Sequence, residues 1–385
     1  MQSPRIIGDH IEDKVSPQLP KSMALPGLLL EGIFAITKPT TVTTPQILLD
    51  LQCIFAASST FAPLLADARR KRAEQQAHQP PGQKLKDEEK DGRFFKMGHG
   101  GTLDPMASGV LIIGLGRGTK QLSNFLSCTK TYETVVLFGV STDTYDIDGT
   151  VLEEAVSRHV DVELVKSQLG QFMGRFRQMP PIYSALKING IKACEYVRQG
   201  KELPRELEDR EVNVEECELL DFMEAGTHAY RHRTSSSIAA PTSAARIKLT
   251  VSSGFYVRSF AHDLGVACGT VATMAALHRS RQASFTTASL PESSEIFTAV
   301  TYEDLNAGEE IWGPKISTQL SAWMEKNTAR KGNPRDPGRP QCSDDVPRRR
   351  FRGEWLADTR KERIKQQGGR TKGKHNSKPQ LRPEY

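Results

Sequence analysis

The sequence predicts a folded body of mixed α and β structure that runs out into a disordered basic tail. Three observations lead there. Strand-like runs at 32–38, 130–140 and 246–252 are separated by helical patterns. Apolar residues make up 37% of the chain, enough for a core but below the usual share, so much of the chain lies outside it. Beyond about residue 326, Gly, Pro, Arg and Lys dominate and no periodicity survives.

Each element has its own local reason. Residues 1–24 are polar and contain proline, which predicts a flexible N-terminus. Asp9, Glu12 and Asp13 make that stretch too acidic for a transit peptide, and Met23 offers a second start. GIFAITK at 32–38 has strand character and stops at Pro39. Thr44-Pro45 opens a helical pattern that runs past Phe55, with threonine suited to the cap and proline to the first turn. Residues 63–96 read as an exposed helix, ADARRKRAEQQ, and then a loop, inserted ahead of a glycine-rich stretch. Val110–Leu115 is a short apolar run, and residues 116–120 lead into a helix ending near Cys128. Lys130–Val140 is strand and Asp161–Gly174 is helix. QMPPIYSALKING at 178–190 is a Pro-rich ordered loop, and 226–245 is a second loop insertion. Arg246–Ser252 feeds GFYVRS at 254–259, and SFAHDLGVACG is helical as far as Gly265. The expected organisation is a folded domain over 25–315 and a basic tail over 316–385.

The net charge of +6 is unevenly spread. From Lys326 to Tyr385 lie 18 of the 52 basic and 7 of the 46 acidic residues, so this stretch carries about +11 and the rest about −5. Such a tail suits either attraction to a polyanion or simple solubility. No apolar run approaches the ~20 residues of a membrane span. Cys53, Cys128, Cys194, Cys217, Cys268 and Cys342 form no CxxC pair, which argues against a zinc site or a disulfide framework.

GHGGTLDPMASG at 98–109 raises the functional question, because it holds a single carboxylate, Asp104, between Leu103 and Pro105. Glycine clusters first suggest phosphate binding. GLGRGTK at 114–120 fails as a P-loop, since Thr119 stands between Gly118 and Lys120. No GxGxxG follows a strand with an acid about 20 residues on, which disfavours a dinucleotide fold. TDTYDIDG at 142–149 suggests calcium, but with Gly149 at the sixth loop position Thr144 falls at the first and Ala155 at the twelfth. A turn rich in Asp and Gly is the better reading. Five segments remain: KP at 38–39, GHGGTLDP at 98–105, KTYE at 130–133, GFYVRS at 254–259 and LHRSR at 277–281. Singly, each fits a structural role. Together they offer one acid, one stacking aromatic, one fixed cation and a set of basic RNA contacts, which suits chemistry on an extruded nucleobase.

GHGGTLDPMASGVLIIGLGRGTK resembles the signature of the TruB-type tRNA pseudouridine synthases, which isomerise uridine-55 in the TΨC loop. GIFAITKP resembles that family's N-terminal motif, and KTYE and GFYVRS its tyrosine and arginine motifs. PPIYSALKINGIKACEYVRQGKELPRE at 180–206 resembles its middle segment. The similarity runs over about residues 31–285, with the motifs in the expected order. The basic insertion before GHGG, and the lack of a recognisable bacterial-type PUA domain, resemble the fungal branch. The resemblance implies an α+β pseudouridine synthase fold, a mixed and mostly antiparallel sheet with flanking helices. It implies that Asp104 is the catalytic aspartate, that Tyr132 stacks on the flipped uracil and that Arg258 pairs with Asp104. His99 and Lys120 would meet the RNA, Lys38 would shape the site and Tyr256 would line the base pocket. Phe255 stands where the family usually has Thr, and Ser280 where it usually has Leu; both concern pocket packing rather than the acid.

The resemblance further implies no cofactor and no metal, with the T-arm of tRNA as partner and mRNA sites of T-loop-like shape as a further class. A monomer without membrane attachment is expected. The rival reading is an RNA-binding tRNA-folding chaperone with little or no turnover, against which the intact Asp104, Tyr132 and Arg258 weigh. The runs ARRKR (68–72) and PRRRFR (347–352) fit nuclear addresses, and starts at Met1 and Met23 would divide the protein, so nucleus, mitochondrion and cytoplasm all stay open.

Pseudouridine formation breaks the N-glycosidic bond, turns the base and makes a carbon–carbon bond to the same ribose. It needs a carboxylate that stays ionised, and a guanidinium serves this better than an ammonium because it is permanently charged and binds bidentately. Extruding the base costs a few kcal/mol, of which stacking on an aromatic returns ~1–3 kcal/mol. Whether the acid attacks the base or acts on the ribose is open at this level. The geometric expectation is definite: Asp104 within salt-bridge reach of Arg258, and Tyr132 across the same pocket.

Overall fold

VLIIGL at 110–115 is apolar without alternation, which marks a strand covered on both faces. In the computed structural model it is the body of a strand near one side of a ten-stranded sheet. The structure describes residues 28–80, 89–184, 186–231, 242–289 and 295–332. The flexible N-terminus expected over 1–24 lies outside the described residues, as do 333–385 and part of each insertion.

The first half of the body comprises β1 (Gly32–Lys38), α1 (Thr44–Ala56), α2 (Ala62–Ala77), β2 (Met97–His99), β3 (Ser108–Leu115), α3 (Leu122–Leu126) and β4 (Lys130–Phe138). There follow β5 (Val140–Thr142), β6 (Val151–Glu154), α4 (Val162–Leu169), β7 (Gly174–Gln178), β8 (Lys187–Ile188), β9 (Ile191–Lys192) and α5 (Ala193–Arg198). The remainder comprises β10 (Arg210–Met223), β11 (Ala244–Val251), α6 (Val257–Ala267), β12 (Ala272–Gln282), β13 (Phe285–Thr286), β14 (Phe297–Thr298), α7 (Tyr302–Asn306) and α8 (Glu309–Gly332). The main sheet runs β1-β3-β12-β4-β11-β10-β7, with β2, β13 and β14 attached at its margins. Along that path every pairing is antiparallel except β3 with β12, a short parallel contact at Ser108–His278 and Gly109–Arg279. This is the mixed, mostly antiparallel sheet that the resemblance implies.

Apolar clusters cover both faces of the sheet. Leu111, Ile113 and Leu115 of β3 join Phe34, Phe55, Phe61, Trp312 and Ile316 under α1, α2 and α8. Val110 and Ile112 face the opposite way, with Ile33 and Phe285. Further along, Val136, Phe138, Ile247, Leu249 and Met274 pack beneath α4 and α6. The alternation in KTYET follows from this: Lys130, Tyr132 and Thr134 are buried while Thr131 and Glu133 are half-exposed.

Local signals explain the helix starts. Thr43, one residue earlier than the sequence suggests, caps α1 by accepting a hydrogen bond from the Gln46 N–H at 3.3 Å, with Pro45 in the first turn. Asp161 caps α4 through the Leu164 N–H at 2.8 Å.

Several boundaries differ from the sequence reading. The strand expected through Val140 breaks at Gly139, whose φ of 91° turns the chain out of β4. The helix expected to Gly174 ends at Leu169 and tightens into a 3-10 turn, and Gly174 already opens β7. The first insertion is less exposed than expected, because Leu64 and Leu65 of α2 are buried in the core. The expected tail boundary at 316 is also corrected. Trp312, Ile316 and Leu320, at successive i,i+4 positions, are all buried and carry α8 on to Gly332. Trp323 continues the docking, donating from Nε1 to Gln121 Oε1 at 3.0 Å.

Candidate active site

The loop that carries Asp104 is held at both ends by buried polar groups from other strands. From β1, Lys38 is fully buried and its ammonium donates to three carbonyls, Pro39 and Pro105 at 2.9 Å and Ala107 at 2.6 Å. From β12, Arg279 donates to the Val110 carbonyl at 2.7 Å and to the Gly101 carbonyl at 3.1 Å. Gln282 reaches the Gly100 carbonyl at 2.6 Å and the Phe125 carbonyl at 2.8 Å. Gly109 is required where this loop rejoins the sheet: its φ is 106°, and a Cβ there would run into the Arg279 backbone. Burial pulls the Lys38 ammonium down to about 8, against the raising effect of Asp104 and with a smaller lowering by Arg279.

Asp104 projects from this frame and meets Arg258, which sits in the first turn of α6. Arg258 Nε lies 2.9 Å from Asp104 Oδ2, and Nη2 lies 3.4 Å from Oδ1. The remaining guanidinium donors are also used, Nη1 on the Thr144 carbonyl at 3.0 Å and Nη2 on the Tyr183 carbonyl at 2.7 Å. Asp146 stands behind, its Oδ2 3.8 Å from Arg258 Nε, and accepts from the Thr144 hydroxyl at 2.7 Å. Burial raises the Asp146 pKa above the ordinary aspartate value, opposed by the Thr144 hydrogen bond and by Arg258. The side chain of Arg258 is 9% exposed and that of Asp104 33%, so the acid faces the opening and the cation lies beneath it.

A cavity of about 410 Å³ opens over this pair. Asp104, Tyr132, Tyr183, Phe255, Tyr256 and Arg258 contribute to its walls, with Lys192 and Arg198 adding positive charge. Tyr132 is 8% exposed and is held in register between Leu249 of β11 and Arg279 of β12. Tyr256 is fixed through its backbone. The buried Gln178 amide donates to the Tyr256 carbonyl at 3.1 Å and accepts from its N–H at 2.8 Å. The Arg210 guanidinium lies over the Tyr256 ring at 5.8 Å. Phe255, at the family's usual threonine position, packs edge-on against Phe176, with centroids 6.4 Å apart, so this departure is absorbed by the core. Ser280 sits 3.4 Å from the Thr131 carbonyl, at the end of the tyrosine strand.

The structure therefore brings together Asp104, Tyr132, Tyr256 and Arg258 at one cavity, with Lys38 behind the loop. His99 and Lys120 are not among the cavity's walls. His99 lies half-buried on β2 with no hydrogen-bond partner on Nδ1, and burial, then Arg279, lowers its pKa. Lys120 is exposed and lines a separate groove. The basic LHRSR segment, expected to supply RNA contacts, needs correction at its centre. Arg279 is 1% exposed and spends its donors on the carbonyls that frame the Asp104 loop. Sequence reading missed Asp146, Gln178 and Tyr183 as site members. The DTYD cluster was a visible signal for Asp146, but only its turn geometry was legible.

The family model for the TruB family pseudouridylate synthase N-terminal domain matches residues 89–257. The chain is 41% identical over 202 residues to tRNA pseudouridine synthase 4 of Saccharomyces cerevisiae, covering 52% of this chain and 50% of that protein. It is 44% identical over 202 residues to tRNA pseudouridine synthase 4 of Schizosaccharomyces pombe, covering 52% and 47%. These matches span about half the length of the yeast relatives. With tRNA pseudouridine synthase B of Endomicrobium trichonymphae the identity is 33% over 218 residues, covering 56% of this chain and 81% of that protein. A match at 33% identity over four-fifths of a family member settles the kinship: this chain belongs to the TruB family of pseudouridylate synthases.

Proposed function

We propose that the protein is a tRNA pseudouridine synthase that converts uridine-55 of the TΨC loop to pseudouridine. The observation that carries this reading is the bidentate Arg258–Asp104 pair at the mouth of a cavity walled by Tyr132 and Tyr256. The names of its relatives support the same activity.

The uridine leaves its stack, at a cost of a few kcal/mol, and enters the cavity, where the Tyr132 ring offers a stacking face worth ~1–3 kcal/mol. Asp104 is the reacting carboxylate. Arg258 fixes both of its oxygens from below, so the carboxylate meets the substrate in one orientation. The bond from N1 to C1′ breaks, the base turns, and a bond from C5 to C1′ forms. The hydrogen on C5 leaves to solvent and N1 gains one, so atoms and electrons balance with no second reactant. Lys38 acts at one remove, setting the height of the loop on which Asp104 stands. His99 and Lys120 meet the RNA outside the cavity.

Tritium release from tRNA labelled at C5 of uridine tests this. Wild-type protein releases one tritium per tRNA at position 55, and Asp104→Ala releases none while binding tRNA within a few-fold. Tritium release by Asp104→Ala at the wild-type rate would overturn the assignment. Tight tRNA binding without release by the wild type would leave an RNA-folding factor in its place.

A further inference from the structure

A groove of about 770 Å³ shares no lining residue with the Asp104 cavity. One wall is α2, the helix of the first insertion; the other is formed by α1 and the segments 93–97 and 116–120. The walls are tied together. Arg72 of α2 donates to the Arg93 and Phe94 carbonyls at 2.9 and 3.0 Å. Gln52 of α1 accepts from the Phe94 and Phe95 N–H groups at 2.9 and 2.7 Å and donates to the Phe95 carbonyl at 2.9 Å. The insertion helix is thus a fixed wall of the groove.

The lining is apolar at Leu48, Leu49, Leu64, Phe95 and Met97 and basic at Lys71, Arg93, Lys96, Arg117 and Lys120. Its two carboxylates are already engaged, Glu31 with Arg117 and Asp67 with Lys71, each at 2.6 Å. Among the described residues Arg93, Lys96 and Lys120 have no carboxylate partner, and all three are exposed. The groove is therefore a cationic surface without its counter-charge. It also adjoins the candidate site: Met97 lines it, β2 leads from Met97 into the GHGG loop, and Asp104 follows seven residues later. Seven residues reach at most about 25 Å, within the size of one RNA arm.

We propose that this groove binds the sugar–phosphate backbone of the tRNA outside the loop whose base enters the Asp104 cavity, with Arg93, Lys96 and Lys120 as its phosphate contacts. The proposal rests on the reading that the cavity takes a flipped uridine. An acidic protein segment is the competing occupant of a basic, apolar-floored groove. The chain continuity with the Asp104 loop favours RNA.

The test is the salt dependence of tRNA binding, measured with Arg93→Gln/Lys96→Gln and, as control, Arg69→Gln/Arg70→Gln. The control pair lies on α2, the helix of the opposite wall, is exposed, and does not line the groove. The groove variant should lose about two units from the slope of log K against log salt, with affinity roughly 10-fold weaker. Its turnover at saturating tRNA and its melting temperature should match wild type, and the control should keep the wild-type slope. An unchanged slope in the groove variant overturns the proposal. Equal losses in both pairs also overturn it, since the attraction would then be diffuse. Failure of the isomerase reading is separable: wild-type protein would release no tritium, while the two salt slopes would still differ.

Discussion

Arg258 grips Asp104 with two nitrogens across 154 positions of sequence, Nε to Oδ2 at 2.9 Å and Nη2 to Oδ1 at 3.4 Å. A lysine would keep the charge but lose the fork, together with the donors to the Thr144 and Tyr183 carbonyls. Arg258→Lys is expected to lower the single-turnover rate about 10²-fold, the scale of losing a fixed electrostatic donor, with tRNA affinity within a few-fold. Rapid-quench tritium release checks this, and a wild-type rate would show that the fork is dispensable.

Asp146 is expected to set the acid side of the pH profile. Burial raises its pKa, so as pH falls it takes up a proton above the ordinary aspartate value and stops sharing Arg258. Activity should fall on acidification before simple carboxylates titrate. Asp146→Asn should lose that limb and run at a reduced, flatter rate. A wild-type acid limb in Asp146→Asn would clear Asp146 of this role.

Lys38 gives the alkaline side, with opposite signs for rate and stability. Its three carbonyl contacts need three N–H donors, which only the ammonium supplies. Turnover should therefore fall as pH rises through about 8. Stability should not fall with it. The unfolded chain holds the Lys38 proton up to its ordinary value near 10.5, so above about 8 the unfolded state binds more protons and this group favours the fold as pH rises. That gain is opposed above about 9, where Cys217 and Cys268, raised by burial to about 12 and about 11, ionise first in the unfolded chain. Paired rate and melting profiles from pH 7 to 9.5 check this. A flat rate to 9.5 would refute the clamp.

Arg279→Met should destabilise the protein by about 2–6 kcal/mol, because the buried Val110 carbonyl and the part-buried Gly101 carbonyl lose their donors at about 1–3 kcal/mol each. Chemical denaturation measures it. A loss of RNA affinity without a loss of stability would restore Arg279 as a surface contact.

Ending the chain at residue 315 should leave it unfolded or aggregated, while ending it at 332 should preserve its melting temperature. Trp312→Ala alone should cost about 3–5 kcal/mol, since the ring stacks on Phe55 at 5.5 Å and on Phe61 at 6.2 Å. Equal melting temperatures for the two truncations would place α8 outside the folding unit.

The residues that meet at the candidate site were legible because they lie in short segments with local constraints. Asp104 stands in GHGGTLDP, Tyr132 on an alternating strand, and Arg258 two residues after Tyr256. The strand at β1, the capped start of α1 and the apolar run of β3 were legible for the same reason: cap, proline and hydrophobic period act over a few residues. The residues that hold the site were not. Arg279 and Gln282 sit on β12, which begins Ala-rich and ends basic, so nothing local marks it as a strand buried on both faces. Asp146 reads as a turn until Arg258, more than 100 residues on, comes within 3.8 Å. The apolar face of α8 is sparse, and only the aromatic cluster of Phe55, Phe61 and Trp312 shows that it belongs to the core. By itself the sequence determined which side chains could react, because that depends on residue type and immediate neighbours. Tertiary structure alone decided which carbonyls Lys38 and Arg279 hold, and that Lys120 belongs to a second groove, because such pairings arise only when distant strands enter register.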